Sequence, residues 1–374
     1  MVSVPRDDSN VYRINNLEAH KPRYNVLSYT WGTPWEIPAI EEEHFIVATF
    51  QKVISIVAGE SIQWVWVDVA CIDQRGNEQT AVEVGQQASI FKQAYRPFVW
   101  LSRLNTASLA AAVNDAKEHG LNLRDIVDRP FAHRHNVPHT ISRLRDALSC
   151  IFSDPWFSSL WTLQEVVLRN DAILLSTEGN PVAWETSPQL QYTFLTMFIN
   201  HCQNVYDDLQ KIEKCFLRGT ITTYERTPGG NDVVVAILRD MKEHILQAGF
   251  YYLFSDNLNV QYGTARYRIT SRPVDRVYAI MQIYNLCVGK SARPDKNPGL
   301  DELKDEFAAA INHHCIILGQ IFLHTDSPDL GKTWRITEFS TIPDKLMDYK
   351  DPNRLGTMLT SYLVGCVSQA SVVS

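Results

Sequence analysis

The chain has 374 residues, 45% of them hydrophobic and 21% charged, with a formal net charge of -7. That length leaves room for two domains, and the composition is that of a packed globular protein rather than a disordered one. The acidic balance argues against nucleic acid as a partner, because phosphate binding needs a concentrated positive surface.

The amino terminus lacks the apolar core of a signal peptide, and no apolar run approaches the roughly 18 residues of a membrane helix. A cytoplasmic protein without a membrane span is therefore expected. Seven cysteines, Cys71, Cys150, Cys202, Cys215, Cys287, Cys315 and Cys366, are scattered and form no CxxC pair, which fits reduced thiols. His133, His135 and His139 have no cysteine or acid at ligand spacing, so neither a metal nor a resident cofactor is expected.

Residues 1–23 read as a polar lead-in. Residues 24–30 read as a first strand, rich in β-branched and aromatic types, broken by Trp31, Gly32 and Pro34. In an open α/β sheet the carboxyl end of such a strand is where ligands bind. Residues 46–58 fit a helix that Gly59 could end. Residues 64–69 are the clearest strand, apolar on both faces as a central parallel strand should be, and deliver Asp68, Cys71, Asp73 and Gln74 to a loop. The spacing of Val84, Ala88, Phe91 and Tyr95 predicts an amphipathic helix over 78–94, followed by a short strand at 97–101.

Residues 107–116 read as helix, 115–139 as a charged insertion, and 141–152 as another helix. The next stretch organises the chain. Pro155 and the serines Ser158 and Ser159 give a helix-start signal, and Trp161 and Glu165, four residues apart, share one helix face and can border one pocket. A strand at 172–175 follows, as an alternating α/β sheet requires. Beyond residue 178 the texture becomes helical, over 190–212, 233–250, from 275, and 303–321.

Three ordered blocks carry a resemblance. Residues 24–32 (YNVLSYTWG), 66–74 (WVDVACIDQ) and 161–165 (WTLQE) resemble the signature blocks of the fungal heterokaryon-incompatibility (HET) domain, and 275–279 (DRVYA) looks like the element that often follows it. Asp73 stands where an asparagine is usual, and Ser159 where an arginine commonly precedes the tryptophan. HET domains are similar in turn to TIR domains. The resemblance thus implies a flavodoxin-like, TIR-like parallel sheet flanked by helices over 24–178, with a mainly helical region over 179–374.

It also implies a role in fungal non-self recognition, a form of innate immunity that ends in programmed cell death. NAD or a related nucleotide would be the substrate, and self-association or an upstream sensor protein would be the partner. Glu165 would be the catalytic carboxylate. Ser28, Tyr29, Trp31, Gly32, Asp68 and Trp161 would contact substrate. The chemistry is economical. Cleaving the nicotinamide–ribose bond releases a neutral pyridine from a pyridinium, so no general acid is needed. One carboxylate suffices to stabilise the oxocarbenium-like ribose. An aromatic such as Trp31 or Trp161 could stack on the pyridinium.

Other readings use the same residues. Trp161 could be a core anchor, Glu165 a first-turn acid favoured by the helix dipole, and Cys71 a buried thiol. A hydrolase using Cys71 with His44 is a weaker alternative. A non-catalytic adaptor that assembles through the TIR-like domain would need no working pocket at all.

Overall fold

The computed structural model describes residues 2–3, 12–13, 22–30, 47–59, 62, 64–72, 77–129, 137–183, 193–218, 230–253, 255 and 257–343. Among the described residues eight strands are present: β1 (Val2–Ser3), β2 (Tyr12–Arg13), β3 (Tyr24–Ser28), β4 (Trp64–Trp66), β5 (Pro97–Trp100), β6 (Ile173–Leu175), β7 (Leu323–His324) and β8 (Ser340–Thr341). Through the first half run the helices α1 (Val47–Ala58), α2 (Asp68–Cys71), α3 (Glu78–Gln93), α4 (Thr106–Asp128), α5 (Val137–Phe152) and α6 (Leu160–Leu168). The second half adds α7 (Leu195–Leu217), α8 (Gly230–Gln247), α9 (Leu258–Thr264), α10 (Asp275–Met281) and α11 (Leu300–His314).

The main sheet has the order β2-β1-β4-β3-β5-β6. The adjacent strands β4, β3, β5 and β6 are parallel, and β1 and β2 extend the β4 side antiparallel. The parallel part has the flavodoxin-like order 2-1-3-4, as the sequence blocks imply. The chain steps from β3 to β4 on one side, then crosses over to β5 on the other. Crevices for ligands open where the strand order reverses in this way.

Alternation along β3 explains the layering. Tyr24 and Val26 point to the layer that holds Phe91 and Ala94, whereas Leu27 and Tyr29 pack with Val53, Ile54 and Val57 of α1. The sheet is therefore covered on both faces, which is why its strands read as continuous apolar runs. Further along, Val99 and Leu174 join a large cluster that continues through α4 to α8 and on to Ile336. Phe152, Phe157, Phe198 and Phe250 make edge-to-face and tilted contacts in every pairing, with ring centroids 5.3 to 6.3 Å apart. This large cluster and the two smaller ones on the faces of the sheet together make up the core.

Several elements depart from the sequence reading. The strand read at 64–69 forms only three strand residues before Asp68 starts the short α2. The supposed insertion is mostly helix: α4 runs 23 residues to Asp128, because Leu109, Val113, Ala116, Leu123 and Ile126 bury a helical stripe that its charged residues mask. Tyr95 falls outside α3, is exposed, and lies under the Arg23 guanidinium at 4.0 Å. Helix α11 stops at His314 rather than 321, and α9 was not foreseen. The His133 and His135 pair, the Asp73–Gln74 dipeptide and the turn before Gly230 lie outside the described residues.

Candidate functional site

A cleft with a volume of about 710 Å³ opens at the carboxyl edge of the sheet, beside β3 and β4. Tyr29 and Thr30 reach it from the end of β3, Asp68 from the end of β4, and Gln87 from α3. Trp161 and Glu165 reach it from α6, and the segment 269–275 supplies the opposite wall. That volume falls within the range of small-molecule sites, about 300–1,000 Å³.

Asp154 caps the turn Pro155–Phe157 by accepting from Trp156 N at 3.0 Å. Ser159 then stands at the start of α6 but makes no capping bond through its side chain, and Ser158 donates instead to the Pro155 carbonyl at 3.2 Å. The helix thus starts at the expected place, but the side-chain cap belongs to the preceding turn and α6 itself has none. Because α6 begins at Leu160, Glu165 is its sixth residue, so the first-turn explanation for this acid does not hold.

Glu165 is nearly buried, 9% exposed. The Ser28 hydroxyl donates to its Oε2, and Gln87 Nε2 donates to Oε1 at 3.2 Å. Ser28 is itself held by the Trp156 indole, which donates to Oγ at 2.7 Å. Opposite, the Tyr29 hydroxyl donates to Asp68 Oδ1, and Val69 N donates to the same oxygen at 2.6 Å. Burial pushes the Glu165 carboxyl up to about 8; the Ser28 hydrogen bond pulls the other way, and the Asp68 charge adds to the rise. Burial therefore keeps Glu165 protonated at neutral pH. Burial and the Asp68 carboxylate push the Tyr29 phenol well above its ordinary value as well.

Trp161 is half-buried rather than a core residue, and its indole donates to Asp275 Oδ2 at 3.2 Å. The Thr270 hydroxyl donates to the same oxygen at 3.1 Å, and Arg272 Nε approaches it at 3.4 Å. Behind the cleft, fully buried Arg268 donates to the carbonyls of Trp156, Ser159 and Ala248. Its guanidinium has been brought down to about 9 by burial. A short parallel bridge completes the join, with Ile269 N donating to Ser158 O at 2.7 Å and Leu160 N to Ile269 O at 2.9 Å.

Of the seven site residues proposed from sequence, five converge here: Ser28, Tyr29, Asp68, Trp161 and Glu165. Trp31 and Gly32 lie outside the described residues, as does His44. Burial raises the Cys71 thiol, which disfavours a thiolate nucleophile. Among the described residues no group of three His, Cys, Asp or Glu could hold a metal ion, and no helix is long and apolar enough to cross a membrane. Gln87, Asp275 and Arg268 were not anticipated as site residues. Gln87 carried a signal, since it falls on the α3 face defined by Val84 and Phe91, where an amide needs a partner.

The strand order and the acid-lined crevice at its carboxyl edge define the α/β part as a flavodoxin-like domain with a pocket at its topological switch point. Comparison with known proteins gives that domain a family. The family model described as heterokaryon incompatibility protein (HET) matches residues 24–165, less than half of the chain. It is similar to heterokaryon incompatibility protein 6, OR allele, of Neurospora crassa, at 27% identity over 135 residues, covering 29% of this chain and 19% of that relative. The match thus spans less than a fifth of the relative's length. No solved structure matches the chain.

Proposed function

We propose that the chain is an effector of heterokaryon-incompatibility type, acting in non-self recognition and cell death, whose cleft cleaves NAD at the nicotinamide–ribose bond. The family match supports the biological role. The reaction rests mainly on one observation: a buried carboxyl group, Glu165, aimed into a ligand-sized crevice at the sheet's switch point with Ser28 and Gln87 fixing both its oxygens.

The neutral state of Glu165 fits this use. A pyridinium entering a chamber that holds Asp68 and Glu165 favours the anion, so binding drives a proton off Glu165. The carboxylate then faces the charge that develops on the ribose as the neutral pyridine departs with the bonding electron pair. A solvent water adds to the anomeric carbon and releases its proton, giving the hydrolysed ribose. Trp161, held by Asp275, offers an aromatic face, worth about 0.5–2 kcal/mol towards a cation.

The same protonated carboxyl also favours a second reading, in which Glu165 is a structural group and the domain is an adaptor assembling with like domains. NAD consumption decides between them, measured for the wild type and for Glu165→Gln at low and high protein concentration. Loss of NAD in concentrated wild type alone is expected of an enzyme gated by self-association. Association of both proteins with NAD left intact selects the adaptor.

A further inference from the structure

The cleft does not end at Trp161. A second chamber of about 170 Å³ adjoins it, and the two share Thr80, Val84, Trp161, Arg272 and Asp275 as walls. Their outer ends differ in charge. The larger chamber carries Asp68 and Glu165, whereas the smaller carries Lys290, with Arg272 on the partition.

Both cations are available to a ligand. The Arg272 side chain is 72% exposed and approaches only Asp275, at 3.4 Å. The Lys290 ammonium has no hydrogen-bonding or ion-pairing partner among the described residues, although its backbone is firmly placed. Lys290 N donates to the Tyr278 hydroxyl at 3.1 Å. Gly289 just before it has φ +57°, and a Cβ there would lie 2.5 Å from the Tyr278 oxygen. The turn also packs on α3, where a Cβ on Gly85 would meet that of Ser291 at 3.2 Å. A lysine without an internal partner thus projects from a turn whose backbone is fixed by specific contacts.

We propose that the two chambers form one bipartite nucleotide site in which Lys290 and Arg272 take a diphosphate group, with Trp161 standing between it and the Glu165 end. This deepens the preceding reading and rests on it for the identity of the group at the Glu165 end. Arginine meets phosphate oxygens through its planar fork and lysine as a point charge, so the pair suits a diphosphate. Spreading opposite charges over two chambers also orients a ligand that is cationic at one end and anionic in the middle.

ADP, which carries the diphosphate but no pyridinium, is the probe, titrated calorimetrically into the full chain. Binding is expected for the wild type, weakened tenfold or more in Lys290→Met and largely kept in Lys290→Arg. Lys296→Met, which removes an exposed lysine of the same loop, should bind as the wild type does. Failure of the wild type to bind ADP at millimolar concentration, or equal binding by Lys290→Met, would overturn the subsite. These outcomes are separate from those for cleavage. Lys290-dependent ADP binding with NAD left intact keeps the subsite and removes the reaction. NAD consumption with an unchanged KM in Lys290→Met does the reverse.

Discussion

The Trp161 indole donates to the Asp275 carboxylate at 3.2 Å across 114 residues of sequence. That bond joins the end of the segment matched by the HET family model to the helix α10. Asp275→Ala should leave the indole N–H, the Thr270 hydroxyl and Arg272 without their shared acceptor. The expected cost is about 1–3 kcal/mol of stability, together with a raised KM for any ligand that stacks on Trp161. Asp275→Asn keeps one acceptor oxygen and should lose less on both counts. Chemical denaturation and ligand titration of the two variants check this.

The pH dependence of stability should carry the signature of Glu165. Its carboxyl stands at about 8 in the folded chain against an ordinary 4.5, so between those values the folded state holds a proton that the unfolded state has released. Stability from this group is then full below about 4.5 and is lost as pH rises towards about 8. Glu165→Gln, always neutral, should lack this decline and be the more stable protein at pH 8, by an amount on the order of a few kcal/mol. Melting temperatures of both proteins from pH 5 to 8.5 measure the difference, and parallel curves would remove the assignment of a buried neutral Glu165.

Ser28 both donates to Glu165 and accepts from Trp156. Ser28→Ala removes a hydrogen bond that favours the carboxylate and leaves a buried indole N–H unpaired. Loss of about 1–3 kcal/mol is expected, and the rising limb of any pH–activity profile should move to higher pH, since Glu165 would hold its proton more tightly. A Ser28→Thr variant, which keeps the hydroxyl, should preserve the limb.

Two arginines near one another in sequence should behave differently. Arg268 is fully buried and satisfies three backbone carbonyls, whereas Arg266 is exposed beside Tyr267. Arg268→Met is expected to cost about 3 kcal/mol or more, because those carbonyls lose their donor, and Arg266→Ala to stay within about 0.5 kcal/mol. Urea unfolding of the pair tests the contrast.

The parallel sheet was legible in the sequence because its strands are buried on both faces and leave unbroken apolar runs, as at 64–67 and 97–101. Glu165 and Ser28 were legible through short blocks whose residues stay local to one strand end or one helix. Charge obscured α4, since its acids and bases are interleaved with the apolar residues while its buried stripe still keeps helical spacing. Arg268 and Asp275 could not be assigned roles from local pattern. Each acts on Trp156, Ser159 or Trp161 more than a hundred residues earlier, and only the folded packing brings them together.

The bridge between Ser159 and Ile269 makes the cleft a property of the whole chain. Residues 269–275 form a wall of it yet lie a hundred residues beyond the matched segment. Natural variants could therefore inherit the same 24–165 segment and still differ in what their clefts admit. Substitutions at 269–275 would reshape the cleft without touching Glu165, so related chains should be compared there as closely as within the signature blocks.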